Sequence, residues 1–150
     1  MAFNIRIQQD DFNVQAEIDC LRELSANIGA VATFTGLVRE LQDGQTIKSL
    51  FLEHYPGMTE RSLDKILVEA QQRWPLLDAT VVHRVGTLVP GDQIVFVGVS
   101  SSHRGAAFAA CEFIMDFLKT RAPFWKKCLL QNGEHWVEAK DSDQAASERW

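Results

Sequence analysis

Cysteine is scarce and scattered in this sequence. Cys20, Cys111 and Cys128 are odd in number, far apart and without a CxxC pair, which argues against both a disulfide framework and a zinc site. No apolar run approaches the roughly 20 residues needed to cross a bilayer. The longest candidate, Ala106 to Leu118, is broken by Glu112 and Asp116. Neither a GxGxxG nor a Walker sequence occurs, so nucleotide use has no support. Internal repeats, low-complexity tracts and linkers rich in Pro, Gly or Ser are missing as well. Positive charge is in deficit: Lys plus Arg number 15 against 20 Asp plus Glu, for a formal net charge of −5. That disfavours non-specific binding to nucleic acid or an anionic membrane, because neutralising phosphates takes clustered cations. An anionic ligand therefore needs a local basic site. The opening residues, Met1 to Ile7, lack the charged and then apolar layout of a secretory signal. The expectation is a soluble, cytoplasmic protein with no metal and no cofactor.

What is present is an ordinary globular composition, 46% hydrophobic and 23% charged over 150 residues. It fits one domain, 1–140, followed by a loosely held tail, 141–150, polar apart from Trp150. Apolar spacing predicts strands at Phe3–Ile7, Ile28–Val38, Ile47–His54, Ala79–Val85 and Gln93–Ser101. Helices are predicted near Asn13–Ala26, from Pro56-Gly57 to Trp74, and over Arg104–Arg121. Pro75 and Pro123 stop the last two. Polar Arg39–Thr46 reads as a loop with an Asp43-Gly44 turn, and Val89-Pro90-Gly91-Asp92 as a β-turn. Gln93–Ser101, apolar on nearly every residue, predicts a strand covered on both faces. Phe124–Leu130 and Glu134–Ala139 flank Asn132-Gly133, a hairpin signal. Paired strands between single helices give an α+β class, with mixed or antiparallel sheets on three main helices.

Two basic clusters stand out. Ser100-Ser101-Ser102-His103-Arg104-Gly105 lies where a buried strand enters a helix, whose first-turn N–H groups and dipole favour an anion. The plain alternative is capping by Ser102 with Arg104 solvated. Around Ala122-Pro123 lie Lys119, Arg121, Lys126 and Lys127. From Arg104 to Lys127 five basic residues face two acidic ones. Lys119 also suits a helix C-terminus electrostatically. Lys126, between Phe124 and Cys128 on one strand face, is a candidate acid, base or nucleophile. A third, weaker candidate is Gly36-Leu37-Val38-Arg39, where a strand gives way to a loop. Glu53-His54-Tyr55 and His83 read at least as well as structural residues, and Cys20 and Cys111 as packed thiols.

Helix geometry constrains these clusters. Arg104 and Lys119 are fifteen residues apart, about 22 Å along a helix at 1.5 Å per residue. One small metabolite cannot touch both. Either there are two sites, or a second copy of the chain brings its Arg104 beside this chain's Lys119. The second is favoured, because neither cluster is complete alone.

At these residues the sequence resembles the large, catalytic subunit family of molybdopterin synthase. The matching stretches are Gly29 to Arg39, Leu52 to Pro56, His83-Arg84-Val85-Gly86 and Val99 to Gly105. Leu118-Lys119-Thr120-Arg121-Ala122-Pro123-Phe124-Trp125-Lys126-Lys127 and Trp136 to Lys140 complete the series. The resemblance implies an α/β-hammerhead-type fold and a homodimer within a heterotetramer. Its partner would be a small ubiquitin-like sulfur-carrier subunit with a C-terminal Gly-Gly thiocarboxylate. Two sulfurs would pass in turn to cyclic pyranopterin monophosphate, making the dithiolene of molybdopterin. The implied substrate-binding set is Leu37, Val38, Arg39, His103, Arg104, Lys119, Lys126, Lys127 and Cys128, with Lys119 and Lys126 catalytic and His103 and Arg104 supplied by the neighbouring subunit. The family usually carries an acidic residue where this chain has Cys128. Two rivals remain at this stage: another transferase using the same basic pocket, and a non-catalytic dimeric module that docks an anionic partner tail.

Overall fold

The computed structural model describes residues 3–23, 25–42, 44–130, 133–137 and 145–150. Expectations that fell on Leu24, Asp43, Asn132 and 138–144 lie outside the described residues. The elements run β1 (Asn4–Gln8), α1 (Val14–Glu23), β2 (Ala30–Leu37), β3 (Leu41–Gln42), β4 (Gln45–His54), α2 (Met58–Arg73), β5 (Leu76–Arg84), β6 (Gly86–Leu88), β7 (Gln93–Ser101), α3 (Arg104–Thr120), β8 (Phe124–Leu130) and β9 (Gly133–Val137). The α+β class and its three main helices stand as expected. Two short strands, β3 and β6, were not expected, and β5 begins at Leu76 rather than Ala79.

One sheet has the order β1-β5-β7-β2. β1 runs parallel to β5, while β7 is antiparallel to both β5 and β2. Its central strand β7 is buried from Val95 to Ser101, because both faces are covered. Val95, Val97 and Val99 pack with Leu63, Ile66 and Leu67 of α2 and Phe113 and Ile114 of α3. On the opposite face Phe96 meets Phe12, Val82 and Leu21 of α1. Gly98 makes room there: a Cβ at this position would lie 2.4 Å from Leu21 Cδ1. Full burial of side chains such as Phe96 and Phe113 contributes about 2–3 kcal/mol apiece.

The other sheet has the order β3-β4-β8-β9, with β6 also paired to β4. Its core is a smaller cluster of Val38, Ile47, Leu50, Leu52, Leu88 and Cys128. Leu50 stands opposite Cys128 and Leu52 opposite Lys126. The chain thus passes from α3, on the first sheet, directly into β8 of the second.

Residues 145–150 depart from the loose tail expected of them. Trp150 meets Trp74 and Phe113 edge-on at 5.6 and 5.7 Å between ring centroids, and its indole N–H donates to Asp116. Arg149 bridges Glu112 and Asp116 at 2.8 and 2.7 Å.

Candidate active site

The three sequence candidates sit at three different structural junctions. The first is the end of β2. A register shift between Gly36 and Leu37 leaves Leu37 exposed, turns Val38 into the core and exposes Arg39. The Val89–Asp92 turn fixes this exit. The Asp92 N–H donates to the Val89 carbonyl at 3.0 Å. Pro90 takes the second position and Gly91 the third with φ 92°, the positive angle a type II turn needs there. The Gly91 N–H then donates to the Val38 carbonyl, and the Val38 N–H to the Asp92 carbonyl, both at 2.9 Å. Val38 is held on both sides, and Arg39 leaves from a fixed point.

The second junction is the start of α3. Its N-cap is His103, in extended geometry and making no side-chain cap hydrogen bond. The expected alternative, capping by Ser102, is not what forms. The Ser101 hydroxyl instead donates to the Pro75 carbonyl at 2.8 Å and accepts from the His103 N–H at 3.5 Å. Gly29 lets β2 approach this turn closely: its N–H donates to the Ser101 carbonyl at 3.0 Å, and a Cβ on it would lie 2.1 Å from the Ser102 carbonyl oxygen. His103 and Arg104 are exposed at this end of the helix.

The third junction joins the end of α3 to β8. Lys119 is exposed in the last helical turn, and Lys126 and Lys127 are half-buried in β8. The N-terminal end of α2 anchors the connection between them. The Tyr55 N–H donates to Thr59 Oγ1 at 2.9 Å, and that hydroxyl donates to the Pro123 carbonyl at 3.0 Å. Phe124, paired with His54 of β4, lies flat on the buried imidazole of His83, at 3.8 Å between centroids and 17° between planes. Burial holds the His83 pKa down at about 3, and the charges of Lys126 and Lys119 push it the same way. His83 was read as structural from the sequence, and it is buried. Its stack on Phe124 was missed, because only the pairing of β6 and β8 with β4 brings the end of β5 to the start of β8.

Other sequence candidates are drawn elsewhere. Arg121 pairs with Glu69 at 3.0 Å and lies over the Phe117 ring, away from any role beside Lys126. Cys128 is 1% exposed within the apolar cluster of the second sheet, and burial pushes its thiol pKa up. Its side chain is built into that core. α3 runs unbroken from Arg104 to Thr120, so the separation of about 22 Å between Arg104 and Lys119 stands. Among the described residues no group of three or more His, Cys, Asp or Glu side chains is placed to hold a metal ion, and no helix is long and apolar enough to cross a membrane.

This is an α+β protein with cationic side chains at both ends of one helix and at a strand exit. A family model described as MoaE protein matches residues 7–121, and the chain belongs to that family. It is 56% identical over 146 residues to a molybdopterin synthase catalytic subunit of Pseudomonas aeruginosa, covering 97% of each chain. Among solved structures it is similar to a molybdopterin biosynthesis MoaE protein from Burkholderia ambifaria, with 54% identity, TM-score 0.86 and 99% and 98% of the two chains covered. A molybdopterin synthase from Staphylococcus aureus is similar at 33% identity and TM-score 0.80, with coverage of 91% and 98%.

Proposed function

We propose that this chain is the catalytic subunit of a molybdopterin synthase. It takes sulfur from the C-terminal thiocarboxylate of a small ubiquitin-like carrier and transfers two sulfurs in turn to cyclic pyranopterin monophosphate. Family membership gives the reaction class. The observation that carries the site is that Lys119 lies in the last turn of α3 and Lys126 in β8, just beyond the Pro123 junction, at the far end of the helix from Arg104. Donor and acceptor are both anions, so preorganised positive charge lowers the cost of bringing them together and stabilises charge that develops during transfer.

In this reading Lys119 polarises the thiocarboxylate carbonyl and assists proton transfer. Lys126 stabilises the substrate as its cyclic phosphate opens. Arg39, leaving β2 from the fixed Val38, closes over the ligand together with Leu37. Lys127 adds charge from the same strand, and Cys128 contributes backbone rather than side chain. His103 and Arg104 come from a second copy of the chain and take the phosphate or the pterin, which the length of α3 requires if one small molecule is to meet all of them. The working assembly is then a homodimer bearing one carrier on each copy. No metal or nucleotide enters the step. The cytoplasm is the fitting compartment, since Cys20, Cys111 and Cys128 are not joined in disulfides.

The test is an anaerobic assay with cyclic pyranopterin monophosphate and a thiocarboxylated carrier, comparing wild type with Lys119→Ala. Dithiolene product from wild type and its collapse in the variant, with the complex still formed, is expected. Absence of product from wild type in a verified complex would leave a binding module instead. Mixing Lys119→Ala with Arg104→Ala chains should restore part of the activity in heterodimers, and no recovery there would refute the shared site.

A further inference from the structure

Arg149 and Trp150 direct their side-chain contacts onto α3, where they converge on its two carboxylates. Arg149 donates to Glu112 and Asp116 at 2.8 and 2.7 Å. Its guanidinium is itself held in place: Nε donates to the Ala146 carbonyl at 3.1 Å, and the group lies over the Trp150 ring at 5.4 Å from the centroid. Trp150 in turn is set edge-on against Trp74 and Phe113 and donates its indole N–H to Asp116. Both donors reach the same oxygen, Oδ2 of Asp116, and the Asp116 side chain is only 14% exposed. Stability is a poor account of the arginine. Arg149 and Glu112 are each about half exposed, and ion pairs so exposed contribute little.

The position of Asp116 on the helix gives the contact a second meaning. It precedes Lys119, the basic residue of the last turn, by three residues. Side chains so spaced are neighbours on a helix surface, with Cβ atoms about 5–6 Å apart, and an acid one turn before a lysine is the favoured order for an ion pair. Glu112, one turn before Asp116, is a like charge that pushes its carboxylate the same way. Left to itself, Asp116 is the natural counter-ion of Lys119. Arg149 bridges both acids and removes that push, and Trp150 adds a second donor on the same side. Lys119 stays exposed at the end of the helix. The other cations packed on this stretch are turned to different partners, Arg121 to Glu69 and Arg73 to the face of Phe113.

We propose that Arg149 and Trp150 form a clasp that acts as a positioning device for Lys119: by holding the Asp116 carboxylate, the clasp keeps the Lys119 ammonium from pairing within its own helix and leaves its charge to an anionic ligand. An Asp116–Lys119 pair would have to be broken each time an anion bound, and its carboxylate would then repel that anion at close range. The clasp removes both costs. It occupies Oδ2 of Asp116 with two donors and sets a guanidinium beside the carboxylate, so the acid is neutralised where it stands. The inference rests on the synthase reading for what Lys119 does, but not for the hold of the clasp on Asp116.

The test is a cycle of Arg149→Ala, Asp116→Asn and the double variant. Two quantities are read: kcat/KM for dithiolene formation in the complex with thiocarboxylated carrier, and the rate at which trinitrobenzenesulfonate, an anionic amine reagent, labels Lys119 in the full chain, followed by peptide mapping. Arg149→Ala should lower both about twofold, the strength of one acid–lysine pair on a helix, and the loss should shrink as salt is raised. Adding Asp116→Asn should restore both, although it takes a further contact from the clasp. A merely structural role predicts the reverse, since a second lost contact deepens the damage. In a chain with Arg149 intact, Asp116→Asn should change either quantity less than it does beside Arg149→Ala. Equal effects of Asp116→Asn in the two backgrounds, or no recovery in the double variant, would overturn the proposal. If Arg149→Ala does not fold, Arg149→Met keeps an apolar stem against Trp150 and removes the donors, and the same loss and recovery are expected. Should wild type itself make no dithiolene, the synthase reading fails while the labelling of Lys119 still decides the clasp.

Discussion

Burial of a neutral histidine has a consequence for stability that can be worked out and measured. His83 titrates at about 3 in the folded chain, whereas in the unfolded chain it takes up a proton near the ordinary value of about 6.5. Below about pH 6.5 the unfolded state therefore binds more protons, and stability falls with pH. The contribution is fully present above about 6.5 and is lost progressively down to about 3, at roughly 1.4 kcal/mol per unit through the middle of that range. Between pH 7.5 and pH 5 the loss amounts to about 2 kcal/mol. Urea unfolding of wild type and His83→Phe at pH 7.5, 6 and 5, at one fixed protein concentration, isolates this term as the difference between the two curves. Carboxylates cancel in that difference. Asp11 and Glu69, held low by hydrogen bonds from Gln93 and Arg121, lose their contribution as pH falls towards and below the ordinary carboxylate range. Asp78, raised by burial, acts in the opposite sense. Wild type should lose about 2 kcal/mol more than His83→Phe over the interval. A difference that stays constant from pH 7.5 to 5 would show that His83 exchanges protons equally in both states, and the account of its burial would be wrong.

Three further outcomes follow from particular contacts. Gly29→Ala places a methyl 2.1 Å from the Ser102 carbonyl oxygen; the strand or the turn must shift, costing about 1–3 kcal/mol, visible as a lower Tm. Trp150→Ala removes two edge-on aromatic contacts and the indole hydrogen bond to Asp116 and should cost about 2 kcal/mol by urea unfolding, whereas a loosely held terminus would cost nothing. Of the three thiols, Cys20 is exposed rather than packed as expected, because it lies on the solvent side of α1, and it should react with an alkylating reagent in the native protein. Cys111, whose burial pushes its pKa up to about 12, and Cys128 should wait for unfolding, which peptide mapping of native and unfolded samples distinguishes.

Much of this arrangement was legible in the sequence where a periodic or stereochemical signal exists. The apolar run of β7 announced coverage on both faces, Pro75 and Pro123 marked helix ends, and Pro90-Gly91 fixed its turn. β3 and β6 were not legible, because two or three residues are too few to show a period of two. Leu76–Asp78 joined β5 through pairing with Ser100 and Ser101 of β7, a tertiary choice that overrides local pattern. The anchoring of residues 145–150 rests on Trp150 and Arg149, and one aromatic and one charge in a polar segment carry no periodicity. His83 illustrates the limit at the site itself. Its structural character was readable from its place in a strand, but its stack on Phe124 joins residues 41 positions apart on different sheets.

The electrostatics explain how a chain of net charge −5 can present a cationic pocket, and why that pocket needs a second copy. Glu112 and Asp116, the acids on α3 nearest Lys119 in sequence, are engaged by Arg149. Arg121 is committed to Glu69. Lys119 closes α3 at the junction where Lys126 and Lys127 enter with β8. Arg104 of the same chain cannot add to it. At physiological salt the Debye length is about 8 Å, and about 22 Å of helix places that guanidinium well beyond it. An anion at Lys119 feels Arg104 only if a partner chain delivers it, so the helix that separates the two charges makes dimerisation a condition of the proposed reaction. Dilution into monomers should then abolish turnover while leaving the junction of α3 and β8 intact, and a fully active monomer in an analytical ultracentrifuge would refute the shared site.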